Sequence, residues 1–304
     1  MTRTITSLFC LLAACIALSA APSNAQAVQF GAWTPGSPFG GHMGAINNLE
    51  SSLGRRVAIV NWFQDFSTRG HHFRWNIKKA TKGVARSGRK PLLTWEPFDP
   101  NNSAWERWSN RAIIRGDHDA YIKKWARKVK KLRTPLYVRF AHEANGGWFP
   151  WGGIVNGNSP KSYKRMWRHV VKLVRKQGAR NVKWVWSPLC EDQAGAPKLG
   201  KYYPGRKYVD VLGMSGFNWG DQFGGWRSFK KVFKKGYKKL SRIGPQPIWI
   251  TEVASASTGG DKAKWVRDMW STAAKWKRLK AIVWFNQDKE RDWSTAAVAS
   301  SFAG

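Results

Sequence analysis

The chain has 304 residues, enough for one large domain and too few for two of that size. Its 52 Lys and Arg against 18 Asp and Glu leave a formal charge of +34 and a sequence pI near 10.6, which favours contact with polyanions but carries no information about fold. Two of the three cysteines, Cys10 and Cys15, fall in an N-terminal leader, so Cys190 stands alone and a disulfide framework is excluded.

The leader comes first in chain order. Arg3 gives a positive start, Ile5 to Ala21 is apolar with small or polar interruptions, and Ala25-Gln26-Ala27 is a small-x-small cleavage site. Residues 1–27 therefore read as a signal peptide, and 28–304 as a single secreted domain. The apolar stretch falls short of the ~20 strongly apolar residues of a transmembrane anchor. Leu12-Ala13-Ala14-Cys15 resembles a lipobox, which makes lipid anchoring at Cys15 the lesser alternative.

Past the leader, β-rich apolar runs recur at Val28–Trp33, Arg56–Phe63, Pro91–Trp95, Leu136–Ala141, Val182–Ser187, Val209–Met214, Pro247–Thr251 and Ala281–Phe285. Their near-continuous apolarity suits strands buried on both faces. Amphipathic segments lie between them. In Tyr121–Arg133, Ile122, Trp125, Val129 and Leu132 recur at helical spacing while the lysines and arginines face outward; Ser162–Lys176 and Phe229–Leu240 behave alike. Eight such alternations predict a single α/β domain, a (β/α)8 TIM barrel. The cations then fall on outward helix faces, either as a solvated surface or as a contact for anionic wall polymers.

Barrel enzymes place their chemistry in the loops after strand C-termini. Of seven Glu, three (Glu96, Glu143 and Glu252) directly follow a predicted strand. Glu143 and Glu252 end the fourth and seventh runs, on opposite sides of the ring, and face each other across the mouth. Two carboxylates flanking a glycosidic bond are the requirement of glycoside hydrolysis. Twenty Trp supply a second signal. Trp125, Trp167, Trp265, Trp270 and Trp276 lie on helical stripes and are expected in the core. Trp95, Trp148, Trp151, Trp219 and Trp284 lie at or after strand ends, where flat rings can stack on pyranose faces. No metal or cofactor is expected: His71-His72 lacks partner spacing, and no phosphate loop, nucleophile elbow or zinc helix occurs.

Three segments carry a family resemblance: Arg139-Phe-Ala-His142-Glu143-Ala-Asn145-Gly, Tyr208-Val-Asp210-Val-Leu-Gly-Met-Ser-Gly-Phe217-Asn218-Trp219 and Ile250-Thr251-Glu252, with Trp95-Glu96-Pro97 and Trp284-Phe285-Asn286 in matching order. They resemble glycoside hydrolase family 26, which contains endo-β-1,4-mannanases, β-1,3-1,4-glucanases of the lichenase type and β-1,3-xylanases. The resemblance implies Glu143 as acid/base, Glu252 as nucleophile, His142 as an orienting group, Trp284 stacking at the −1 subsite and Trp148 and Trp151 at neighbouring subsites; Arg139 and Phe217 join the substrate-binding set. The family usually has Tyr where Phe217 stands, its hydroxyl bonding the nucleophile. The expected function is a secreted, monomeric, retaining endo-β-glycanase acting on β-1,4-mannan, with mixed-linkage β-glucan or β-1,3-xylan as alternatives. Phe217 and the charge leave open a non-catalytic wall-binding barrel. Nucleic-acid binding rests on charge alone, with no recognisable module.

Overall fold

The computed structural model describes residues 27–66, 76–102 and 104–303. The expected leader (apart from Ala27), its Cys15 and the His71-His72 pair lie outside the described residues. Among those described, no helix is long and apolar enough to cross a membrane.

Eight strands, β1 (Gln29–Trp33), β2 (Ile59–Asp65), β3 (Lys90–Glu96), β4 (Leu136–Phe140), β5 (Val182–Trp186), β6 (Val211–Asn218), β7 (Ile248–Ser255) and β8 (Leu279–Phe285), pair in parallel in chain order and close into a barrel. Every expected run overlaps a strand. β6 and β7 run on through Asn218 and Ser255, past the expected ends at Met214 and Thr251, because their glycine-rich and polar segments still pair with each other. The helices are α1 (Gly44–Leu53), α2 (Ile77–Arg86), α3 (Asn110–Arg115), α4 (Asp119–Lys130), α5 (Pro160–Lys176), α6 (Phe229–Ile243) and α7 (Lys262–Lys275). α5 begins with a capping box between Ser159 and Ser162 and has Pro160 at its first position. It buries Tyr163, Met166, Trp167, Val170, Val171 and Val174, a stripe at three- and four-residue spacing.

The alternation fails twice, after β5 and after β8. No α-helix forms between β5 and β6; Pro188, Pro197 and Pro204, with Gly195, Gly200 and Gly205, leave only short 3-10 turns at Leu199–Tyr202 and Arg206–Tyr208. After β8, a 3-10 segment (Ala296–Phe302) sets Phe302 against Phe30 and Trp284, with ring centroids 5.5 and 5.1 Å apart.

Inside the barrel the chemistry changes with height. Ile59, Leu92, Tyr137, Val185, Val211, Trp249, Ala281 and Val283 form an apolar floor. Two residues further along their strands, Asn61, Thr94, Arg139, Ser187 and Thr251 form a polar belt, since side chains on one face recur every second residue. Thr94 Oγ1 donates to Asn61 Oδ1 at 2.9 Å, Arg139 Nε donates to Thr94 Oγ1 at 2.9 Å, and the Ser187 and Thr251 hydroxyls share a bond of 2.7 Å.

Outside the barrel, Trp95 of β3 stacks on Trp125 of α4, with centroids 4.0 Å apart and planes 16° from parallel. Both rings are buried, so this pair fastens the helix to the sheet. Trp125→Ala is expected to destabilise the fold by ~3–5 kcal/mol in urea unfolding, and Trp125→Phe by less. A loss below ~1 kcal/mol for the alanine variant would show that α4 is held elsewhere.

Candidate active site

The site is built where the polar belt opens at the C-terminal ends of the strands. After β4 the chain turns abruptly: Ala141 and Glu143 both take left-handed backbone conformations, with φ of 42° and 54°. Such conformations cost a non-glycine residue about 1–3 kcal/mol and persist only where neighbours enforce them. Here the Glu143 N–H donates to Ser187 O at 2.8 Å, and buried Asn145 bridges to the β5 loop, accepting from Leu189 N at 2.8 Å and donating to Glu191 O at 3.0 Å. The turn aims the Glu143 carboxylate inward. Its Oε1 accepts from Ser215 Oγ of β6 at 2.6 Å and its Oε2 from Trp148 Nε1 at 2.9 Å. Trp148 reaches it by folding over Gly146, where a Cβ would meet the indole at 2.5 Å.

Glu252 arrives by a different device. Simple alternation in β7 turns Trp249 and Thr251 inward and would send Glu252 out to the helix layer. A β-bulge intervenes: Met214 pairs with Ile250, but the next residue, Ser215, pairs with Glu252, and the register against β8 slips at the same place. Glu252 thereby turns into the mouth, and its Oε2 accepts from Arg139 Nη2. Carboxylate oxygens of Glu143 and Glu252 and a ring nitrogen of His142 lie within 4.8 Å of one another. Imidazole and carboxylates are metal-ligand types, but the buried Arg139 guanidinium already occupies Glu252 and sets a positive charge beside any cation held there.

Burial and neighbouring charge divide the ionisable groups. Burial first, and then the nearby charge of Glu252, push Glu143 up to about 7, against the hydrogen bond from Ser215 and the charge of Arg139. Burial raises Glu96 to about 8, with Arg139 opposing and Asp65, Glu252 and Glu143 adding to the rise. Burial and Arg139 hold His142 well below the ordinary histidine range, so its imidazole is neutral.

These groups open into a cleft of about 1540 Å³. Glu96, His142, Glu143, Trp148, Phe217, Trp219 and Glu252 line it, as expected. Four expected contacts do not. Trp95 and Trp284 follow the inward-facing Thr94 and Val283, so alternation points them away from the mouth. Trp95 packs on Trp125, and Trp284 donates its indole N–H to Trp293 O at 2.8 Å with no exposed face to offer a sugar. Trp151 lies beneath His142, donating to its carbonyl at 2.6 Å and stacking on Phe149 at 4.4 Å. Arg139 is 0% exposed and meets Glu252 from below, so it positions the carboxylate instead of touching a glycan.

The same rule finds what was missed: Trp33, Phe63 and Phe285 take the inward register at strand ends and line the cleft, Trp33 stacking on Phe285 at 4.6 Å. Phe149 and Trp293 join them from loops, and Phe223, 75% exposed, stands on the rim. The helical-stripe tryptophans 125, 167 and 265 are buried, and 270 and 276 are half-buried against the core, as expected. Phe217 faces Phe285 and Trp293, while the donor to Glu252 is Arg139.

A carboxyl whose folded pKa lies above its unfolded value contributes stability that is complete below about pH 4.5 and is lost as pH rises through about 7. Glu143→Gln keeps the neutral shape at every pH. The variant is expected to match the wild-type melting temperature near pH 5 and to exceed it near pH 8, by at most ~3 kcal/mol in stability. A gain at pH 5 that vanishes at pH 8 would reverse the assignment.

Comparison with known proteins adds the lineage. The model of Glycosyl hydrolase family 26 matches residues 104–284, a span holding both Glu143 and Glu252. Endoglucanase H of Acetivibrio thermocellus is 35% identical over 272 residues, covering 88% of this chain and 28% of that protein. The β-1,3-xylanase TXYA of a Vibrio species is 30% identical over 106 residues, covering 34% of this chain and 22% of its own length. Mannan endo-1,4-β-mannosidase A of a Piromyces species is 26% identical over 160 residues, with 51% and 23% coverage. The chain thus spans about a quarter of the length of these curated relatives. The catalytic domain of a Bacillus sp. JAMB-750 endo-β-1,4-mannanase shares the fold with a TM-score of 0.71 at 18% identity, over 92% of this chain and 85% of that one. From the family match, the chain belongs to glycosyl hydrolase family 26.

Proposed function

We propose that the chain is a retaining endo-β-glycanase in which Glu252 is the nucleophile and Glu143 the acid/base. One observation carries this reading: the two carboxylates approach within 4.8 Å at the barrel mouth. Retaining enzymes hold their carboxyl groups about 5–5.5 Å apart, whereas inverting ones need about 6.5–9.5 Å to admit a water molecule.

In the first step a Glu252 carboxylate oxygen attacks the anomeric carbon while the Glu143 acid protonates the departing glycosidic oxygen. The products are a glycosyl ester on Glu252 and an ionised Glu143. Ser215 and Trp148 stabilise that new charge with hydrogen bonds already in place. Glu143 then takes a proton from water, whose oxygen attacks the same carbon, releasing sugar of unchanged configuration and restoring both groups. Glu96, neutral at neutral pH, is placed to donate to a sugar hydroxyl. Trp33, Phe285, Trp219 and the rim residues Trp148 and Phe223 supply aromatic surface for pyranose rings. Export by the leader expected at 1–27 fits a polymeric substrate.

The resemblance alone puts β-1,4-mannan first. The relative aligned in sequence over 88% of the chain carries an endoglucanase name, whereas the mannanases among the curated sequence relatives align over 34–52%. This supports placing β-glucan ahead of mannan. On a panel of lichenan, β-mannan and β-1,3-xylan, reducing ends are expected to appear fastest from lichenan. Release from mannan alone would restore the mannanase reading, and release from none, with the fold intact, would favour a binding protein.

Glu252→Ala is expected to lower turnover by several powers of ten, with azide restoring a glycosyl azide of inverted configuration. Inverted product from the wild type would contradict the mechanism. Activity should fall as pH rises through about 7, because Glu143 must then give up the proton it donates. By the resemblance, Phe217→Tyr restores the hydroxyl that the family usually directs at the nucleophile, with an expected gain in kcat of about tenfold or less. A loss in a folded variant would mean that the pocket is built around the phenyl ring.

A further inference from the structure

The barrel has a second concavity, at the end opposite the cleft. It occupies about 850 Å³ between the C-terminal turns of α4 and α5, and its walls are almost wholly Lys and Arg. Lys124, Arg127, Lys128 and Lys131 stand on one stripe of α4 at three- and four-residue spacing, Arg133 follows in the next loop, and Lys176 faces them from α5. All six are exposed. Asn181 joins the two floor loops, its side-chain amide donating to Val129 O at 3.0 Å and Thr134 O at 2.9 Å. The backbone beneath the groove is therefore tied across, while the cationic side chains above it are exposed.

Two ordinary explanations fall short. Cations in the last turn of a helix complement its dipole, which accounts for Arg127, Lys128 and Lys130 of α4 and Lys176 of α5 but not for Lys124, in mid-helix, or Arg133, in the following loop. A solubilising surface intersperses both signs. Here the only acidic residue between Asp119 and Glu191 is Glu143, buried in the cleft on the other side of the barrel. The nearest carboxylates in sequence are engaged away from the groove, Asp119 with His169 and Lys123, and Asp117 with Arg115. Converging like charges repel one another, and an anion entering the groove relieves that repulsion.

We propose that this groove docks an acidic polysaccharide of the polyuronate type while the cleft holds its neutral substrate. The groove has no aromatic wall, so it offers nothing for nucleobases or pyranose faces to stack upon and reads charge alone. A linear polyuronate bears a carboxylate on every sugar, a repeating charge that can follow the cationic stripe along α4. Because the groove and the cleft open at opposite ends of the barrel, both chains can be bound together. Docking of this kind is independent of the hydrolytic assignment and is measured without turnover.

The test compares two variants of the full chain carrying the same change in charge. K124E/R127E/K128E/K131E reverses the groove; K230E/K231E/K234E/K238E reverses four exposed lysines on α6. Affinity for polygalacturonate is measured at about 50 mM NaCl, with thermal melting as a check on folding and neutralising Gln variants at the same positions if a reversal unfolds the protein. The groove variant is expected to lose about tenfold or more in affinity and the α6 variant about threefold or less, with hydrolysis of soluble neutral oligosaccharides unchanged in the groove variant. Equal losses would overturn the proposal by showing that the attraction is diffuse. So would failure of the wild type to hold polygalacturonate, or binding of duplex DNA in its place.

Discussion

A guanidinium with no exposed surface sits at the centre of the barrel, and the arrangement of the mouth depends on it. Burying Arg139 is costly unless its charge is matched, and Glu252 supplies the match. The same charge acts beyond that partner. It opposes the burial that raises Glu143 and Glu96, and it adds to the burial that keeps His142 neutral. Three carboxylates share one poorly solvated pocket, and like charges there cannot all persist. Arg139 gives Glu252 a counter-charge, while burial raises Glu143 to about 7 and Glu96 to about 8.

The scaffold holds this division in place from several directions. Arg139 is fixed from the side by Thr94, itself bonded to Asn61, so the belt within the barrel fixes the charge before the mouth is reached. Glu143 depends on two left-handed residues and on ties to β5 and β6. Glu252 depends on a bulge in β7. The strands of the lower barrel are apolar and hold no left-handed residue; at that end Arg133, in the loop before β4, has a φ of 55°. Apolar strands below and strained turns at the mouth are the distribution expected when chemistry is confined to strand ends.

Much of this was legible in the sequence, for identifiable reasons. Strands buried on both faces announce themselves as unbroken apolar runs, and a Glu at the end of such a run is conspicuous in a chain so poor in acids. What the runs do not announce is register. Trp95 and Trp284 look like cleft residues by position, yet each follows an inward-facing neighbour and so belongs to the helix layer. The same parity, applied to Trp33, Phe63 and Phe285, would have found the aromatic lining. Glu252 breaks the rule in the other direction: parity sends it outward, and only the bulge set by pairing with β6 and β8 recovers it. The prolines and glycines between β5 and β6 did carry the signal for the missing helix, and the expected alternation overrode it.

The central claim is that the carboxylate braced by Arg139 is the one that bonds to sugar. Incubation with an activated 2-deoxy-2-fluoro β-glycoside, whose glycosyl ester forms readily and hydrolyses slowly, followed by peptide mass mapping, tests it most directly. The account predicts a single added sugar on the peptide containing Glu252. Label on Glu143 or Glu96, or turnover through an enzyme that never carries sugar, would contradict it.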